Sequence, residues 1–121
     1  MKASKEQQAS LIQIRKRSDF LKIQSGGRKW VSHGLIVQTA ARKDDLKRIG
    51  YTVSKKVDKS AVKRNRIKRR LRAVAVDILP QSAVDGQDYI LVGRPQTLTR
   101  PYEALCDDLR WCLNKMGLEK S

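Results

Sequence analysis

Residues 55–72 read KKVDKSAVKRNRIKRRLR, ten Lys or Arg against one Asp. From Ser60 to Leu79 there is no Gly or Pro, and Ile67, Leu71, Val74, Ala75 and Ile78 recur at helical spacing. The pattern predicts one long amphipathic helix over 60–79, stopped by Pro80. At about 100° per residue the apolar residues fill one side. Lys63, Arg66, Arg69 and Arg70 lie roughly opposite, and Arg64, Lys68 and Arg72 flank the stripe. Any fold for this chain must therefore bury that stripe and leave the rest of the helix strongly positive. Like charges at i and i+4, such as Arg66 with Arg70 and Arg64 with Lys68, cost a few tenths of a kcal/mol each. A polyanion laid against them removes the penalty.

The remaining elements are read around this helix. Residues 48–54 alternate, with Ile49, Tyr51 and Val53 pointing to a core and Gly50, Thr52 and Ser54 to a polar face. Residues 30–41 are rich in β-formers and predict one strand, followed by a charged turn over 42–47. Ser18 is placed as N-cap of a short helix carrying Asp19, Phe20, Leu21 and Ile23, which Gly26 and Gly27 end. Asp85-Gly86 marks a turn, and 89–92 is a short apolar strand. Pro101 opens a last helix whose stripe is Tyr102, Leu105, Cys106, Leu109, Cys112, Leu113 and Met116. The order α-β-β-α-β-α predicts a small two-layer α/β sandwich, helices packed on a mixed sheet. Residues 1–14 read as a basic tail and 15–121 as a single domain; with 40% hydrophobic residues the chain can bury one modest core without staples.

The net charge of +15 is unevenly spread. Residues 1–17 carry +4, 18–54 another +4, 55–72 carry +9, and 73–121 carry −2. A chain so basic calls for a polyanionic partner, and nucleic acid is the commonest. Arginine outnumbers lysine in the centre of the basic segment, and guanidinium grips phosphate oxygens bidentately where ammonium offers a point charge. A solvated helix face or a polybasic membrane patch is the plainer alternative. One acid in eighteen residues, on a helix embedded in a domain, argues against it.

The stretch RIGYTVSKKVDKSAVKRNRIKRRLR, residues 48–72, resembles the signature of the bacterial ribonuclease P protein family. A strand ending in Ser-Lys-Lys leads to a helix bearing Arg64-Asn65-Arg66, then Ile-Lys-Arg. The resemblance extends to the Asp19-Phe20 helix, the Asp88-Tyr89-Ile90 strand and the closing helix. It implies an accessory, non-catalytic subunit of a ribonucleoprotein endonuclease that removes the 5′ leader of precursor tRNA. The catalytic groups and Mg²⁺ belong mainly to a catalytic RNA subunit. Lys59, Lys63, Arg64, Asn65, Arg66, Lys68, Arg69, Arg70 and Arg72 are then the residues expected on that RNA. Phe20, Gln38, Thr52, Ser54, Lys55 and Lys56 are those expected on the single-stranded leader, in a cleft between the first helix and the polar sheet face. The family also implies a left-handed βαβ crossover, against the usual handedness. Gln24 and Gln38 stand where the family commonly has further cleft aromatics, so hydrogen bonds and charge take a larger share of leader recognition than stacking.

Other candidates reduce to ordinary roles. His33 is the only histidine, so no two-histidine metal site or triad can be assembled in one chain. Cys106 and Cys112 lie about 9 Å apart along a helix axis, too far to bridge, and read as core residues. Asp44-Asp45 and Asp107-Asp108 do not present paired carboxylates to one point. Gly26-Gly27 lacks the Lys-Ser/Thr sequel of a phosphate loop. Trp30 and Trp111 are read as packing residues, with an RNA contact as the alternative for Trp30, beside Arg28 and Lys29. No apolar stretch reaches the roughly 20 residues of a membrane span, and no secretory pattern follows Lys2 and Lys5, so the bacterial cytoplasm is expected. A structural rRNA-binding protein and a protein-only nuclease are the competing functions.

Overall fold

The computed structural model describes residues 11–120, organised on a five-stranded mixed sheet. In chain order the elements are β1 (Leu11–Gln13), α1 (Arg17–Gly26), β2 (Arg28–Val31), β3 (Leu35–Ala41), β4 (Lys47–Thr52), α2 (Ala61–Ser82), β5 (Gln87–Gly93), a 3-10 turn (Pro95–Leu98) and α3 (Tyr102–Met116). The strand order is β1-β4-β5-β3-β2. β4 runs parallel to both β1 and β5, while β3 is antiparallel to β5 and β2. The helix α2 is therefore the crossover of a parallel βαβ unit, which places it between the two central strands.

One sheet face supplies Leu35, Val37, Ile49, Tyr89 and Leu91 to the main core, where they meet the predicted stripes of α2 and α3. Ile67, Leu71, Val74, Ala75 and Ile78 are all buried, as the helical spacing requires. The opposite face carries α1 over part of its area. Ile23 packs there on Ile14 and Ile90, with Phe20, Ala40 and Val92 around them. The helices thus sit on both sides of the sheet, with α1 adding a partial third layer. Among the described residues no helix is long and apolar enough to cross a membrane.

Several boundaries differ from the sequence reading, each for a local reason. The strand expected over 30–41 is two strands. Ser32 closes the turn between them, its Oγ donating to Leu35 O at 2.6 Å and its N–H reaching the same carbonyl at 2.9 Å. Of the expected tail, residues 11–13 form an edge strand on β4, and residues 1–10 lie outside the described residues. The helix α1 begins at Arg17 with Lys16 as N-cap, so Ser18 lies inside the first turn. Tyr102 is not in the core; it is exposed, and its hydroxyl donates to the Asp77 carboxylate.

Pro80 does not stop α2, which continues to Ser82. The proline removes one helical donor, that to Val76 O, and the helix runs only two residues past it before the Ala83 N–H closes on Leu79 O at 3.1 Å. The carbonyls of this last turn also receive cations. The buried Lys47 ammonium donates to Leu79 O at 3.0 Å and lies 3.2 Å from Asp85 Oδ1. Lys120 Nζ reaches Pro80 O at 3.4 Å. Burial pulls the Lys47 ammonium below its ordinary pKa, and Asp85 opposes the shift. The arrangement puts positive charge at the negative end of the helix dipole. Lys47→Ala removes a second donor from Leu79 O, whose other donor is the Ala83 N–H, deprives Asp85 of its ion partner and empties a buried site, and should lower the unfolding free energy by about 2 kcal/mol in urea titrations, with Lys47→Met recovering only part. An Ala variant as stable as the parent would refute the capping role.

Candidate nucleic-acid interface

The basic helix is held at its start by a chain of side-chain contacts. Asp58 Oδ1 accepts the Ser60 N–H at 2.9 Å, and Ser60 Oγ accepts the Lys63 N–H at 3.2 Å as N-cap. Arg64 is partly buried, and its Nη1 donates to the carbonyls of Asp58 and Lys59, both at 2.9 Å. One guanidinium nitrogen thus braces the loop that joins β4 to α2, leaving Nε and Nη2 available.

Two more arginines of the basic segment have internal partners. Arg70 Nη2 donates to the Arg100 carbonyl, and Arg100 is itself forked onto Asp108 at 2.5 and 3.0 Å. Arg72 lies 5.3 Å from the centre of the Tyr51 ring, an attractive cation–π distance. Burial pushes the Tyr51 hydroxyl up to about 12, with Arg72 pulling the other way. Lys59, Lys63, Asn65, Arg66, Lys68 and Arg69 are exposed. Among the described residues no carboxylate pairs with Lys63, Arg66, Lys68 or Arg69. These four form a positive surface with no acidic side chain to neutralise it.

The opposite sheet face reads as rows across the strands. Gly50, Ile90, Gln38 and Lys29 are in register in one row, and Thr52, Val92, Ile36 and Val31 in the next. Gly50 is not the open floor expected from its small size. A Cβ there would lie 2.6 Å from Phe20 Cζ, so the Phe20 ring occupies the space and seats α1 on the sheet. Phe20 remains half-buried and lines a recess with Arg15, Arg17, Leu21, Gln24, Tyr51 and Thr52. The structure thus brings Phe20 and Thr52 together. Gln38 stands two strands from Gly50, about 10 Å away, and is not part of that recess. Its Oε1 is buried without a hydrogen-bond partner. Ser54 is not a sheet residue, because β4 ends at Thr52; it is exposed with Lys55 and Lys56 in the loop leading to α2. Arg15, Arg17 and Leu21 were not among the expected cleft residues; Leu21 was read only as an apolar residue of the helix, and the two arginines had no signal beyond their nearness to Phe20 in sequence.

Below α1 lies an ion-pair ladder that no local pattern announces, since its members come from separate segments. Arg48 grips the buried Asp88 bidentately, at 2.7 and 2.9 Å, and reaches Asp19 of α1 at 3.3 Å. Arg42 also contacts Asp88, at 3.0 Å, and forks onto Asp44 at 2.7 and 2.8 Å. Both guanidinium groups are held above their ordinary pKa by carboxylate hydrogen bonds, led by Asp44 for Arg42 and Asp88 for Arg48. The ladder ties α1 to β4, β5 and the end of β3, and so fixes the slant of the helix over the sheet. Among the described residues no group of three or more His, Cys, Asp or Glu side chains is placed to hold a metal ion.

The Arg42 fork holds the Asp44 carboxyl at about 2. A depressed carboxylate supports the folded state above its ordinary pKa of 3.8, and that support is lost as the pH falls through about 2. Carboxyl NMR titration should find the Asp44 midpoint near 2, returning toward the ordinary range in Arg42→Gln. An unshifted midpoint in the parent would rule out the fork in solution.

Comparison with known proteins gives a consistent result. The family model for ribonuclease P matches residues 9–117. The ribonuclease P protein component of Paramagnetospirillum magneticum is 46% identical over 114 residues, covering 90% of this chain and 85% of that protein. The corresponding protein of Ruegeria pomeroyi is 47% identical over 113 residues, covering 88% and 87%. Among solved structures, the Staphylococcus aureus RNase P protein superposes with a TM-score of 0.73 at 27% identity, covering 89% of this chain and 97% of that one. The Thermotoga maritima protein, at 22% identity and a TM-score of 0.73, shares the fold.

Proposed function

Because the chain belongs to the ribonuclease P protein family, the protein component of a ribonucleoprotein endonuclease, we propose that it uses its two surfaces on two different RNAs. The exposed cations of α2, Lys63, Arg66, Lys68 and Arg69 together with Asn65, pack against the catalytic RNA. Lys59 and the free nitrogens of Arg64 extend this surface to the start of the helix. Arg70 and Arg72 contribute from their anchored positions, mainly as positive charge. The observation that carries the reading is the positive α2 surface without acidic partners, joined through one short loop to the strand under Phe20.

The single-stranded 5′ leader of precursor tRNA lies on the α1 face. Phe20 is already supported from below by Gly50, so the exposed part of its ring is pre-positioned to stack a base, worth roughly 1–3 kcal/mol. Thr52 and Gln38 place polar side chains on the strand rows around it. Ser54, Lys55 and Lys56 hold backbone phosphates where the leader approaches the catalytic RNA. Mg²⁺, held mainly by the RNA, supplies the hydrolytic chemistry. The role of the chain is to position the substrate and to screen repulsion between two polyanions. A bacterial cytoplasmic setting follows from the presence of both RNAs there.

Reconstitution with the catalytic RNA at low Mg²⁺ tests this directly, and the protein should raise the rate of precursor tRNA cleavage. Arg66→Glu with Arg69→Glu should weaken assembly with the RNA by one to two orders of magnitude while Phe20→Ala leaves it intact. Conversely, Phe20→Ala should weaken precursor binding about tenfold and leave mature tRNA unaffected. Equal losses for both substrates would remove the cleft assignment. With about 6 to 10 phosphate contacts, affinity for the catalytic RNA should fall roughly 10³- to 10⁵-fold between 50 and 200 mM salt. A shallow salt slope in filter binding would contradict the electrostatic account.

A further inference from the structure

The chain has two tryptophans, and the fold brings both to one surface at the β2 edge of the sheet. Trp30 on β2 and Trp111 on α3 meet edge to face, with ring centroids 6.2 Å apart and planes inclined at 62°. They remain 39% and 45% exposed, beside Val31 at 47%. A packing role accounts for their contact but not for the area left open, which is large for aromatic side chains on a single small domain. A shallow recess adjoins Trp111, lined by Val31, Ser32, His33, Arg94 and Asp108.

The charges around this patch select its partner. Its acids are engaged: Asp108 by Arg100 at 2.5 Å, and Asp107 by Arg110 at 3.1 Å. Lys115, one helical turn after Trp111, is exposed and has no described carboxylate partner. Arg94 donates one nitrogen to Ser32 O at 2.5 Å, and its guanidinium faces the recess. Strand β2 forms the outer edge of the sheet and presents Trp30 on the α3 side. Its neighbour Lys29 lies on the α1 side, at the end of the row that runs from Gly50 through Ile90 and Gln38. The edge therefore joins the α1 face to the tryptophan pair. A second copy of the chain is disfavoured there, since β2 is only four residues long and carries the basic Arg28 and Lys29, features that blunt edge-to-edge pairing.

We propose that Trp30 and Trp111 form a stacking platform for unpaired nucleotides of a single-stranded RNA that leaves the α1 face over the β2 edge. The proposal rests on the assignment of that face to single-stranded RNA. It adds a binding surface beyond the cleft and the basic helix. Bases stack on the open faces of the rings, and Lys115 and Arg94 hold the flanking phosphates.

Because both tryptophans belong to the patch, tryptophan emission excited beyond the tyrosine absorption band reports on it alone. Titration of the protein with a 12-nucleotide oligoadenylate should quench most of the emission. Binding is followed in parallel by anisotropy of the labelled oligomer. The quenching should persist in Arg66→Glu/Arg69→Glu, which removes the α2 surface. Trp111→Leu and, as a surface change that spares the packing, Lys115→Glu should each weaken oligomer binding, the former about tenfold. Anisotropy showing binding without quenching would overturn the platform and leave the cleft and helix assignments standing. No binding at low salt would overturn both the platform and the assignment of the α1 face to single-stranded RNA. Sedimentation showing a dimer that Trp111→Leu dissociates would assign the patch to self-association and overturn the proposal.

Discussion

Burial of Ile67, Leu71, Val74, Ala75 and Ile78 against the sheet is what permits α2 to remain cationic on its remaining surface. Each of the four larger side chains, Ile67, Leu71, Val74 and Ile78, contributes roughly 1.5–3 kcal/mol, whereas each like-charge pair on the helix costs a few tenths. The stripe therefore outweighs the repulsion without any help from neutralising acids. Freed from that need, the exposed positions can carry Lys63, Arg66, Lys68 and Arg69 with no carboxylate partner among the described residues. The parallel βαβ connection then orients this surface, because it ties the helix start to the end of β4 through a short loop that Arg64 braces.

The second surface depends on a different contact. Phe20 settles into the place of the missing Gly50 side chain, and the Asp19-Arg48-Asp88-Arg42-Asp44 ladder holds α1 from its other side. One contact is apolar and shape-based; the other is ionic and shares a buried carboxylate between two guanidiniums. Between them they leave α1 little freedom to slide. A cleft whose wall is fixed in this way offers a strand of RNA a preformed surface, so less ordering has to accompany binding.

Much of the architecture was legible because it depends on periodicity. The stripes of α2 and of most of α3, the alternation of Ile49 and Tyr51, and the turn at Gly86 with its φ of +77° all follow from local pattern. What was misread depends on partners distant in sequence. Pro80 reads as a helix stop, but Lys47 and Lys120 bring donors to the carbonyls of Leu79 and Pro80 in the last turn. Gly50 reads as an open floor, but its neighbour in space is Phe20. Leu11–Gln13 reads as tail because a three-residue edge strand has too little pattern of its own and exists by pairing with β4.

The sequence by itself determined that this chain carries a helix with a buried stripe and a densely positive exterior, and the Arg64-Asn65-Arg66 context tied it to a family. Those features are local, set by residue type and spacing along one element. Only the tertiary structure decided which cations remain unpaired, which residue fills the space above Gly50, and that Trp30 and Trp111, eighty-one positions apart, share one surface. Such facts depend on which strands are neighbours and which face each helix covers, and chain pairing across the sheet sets both.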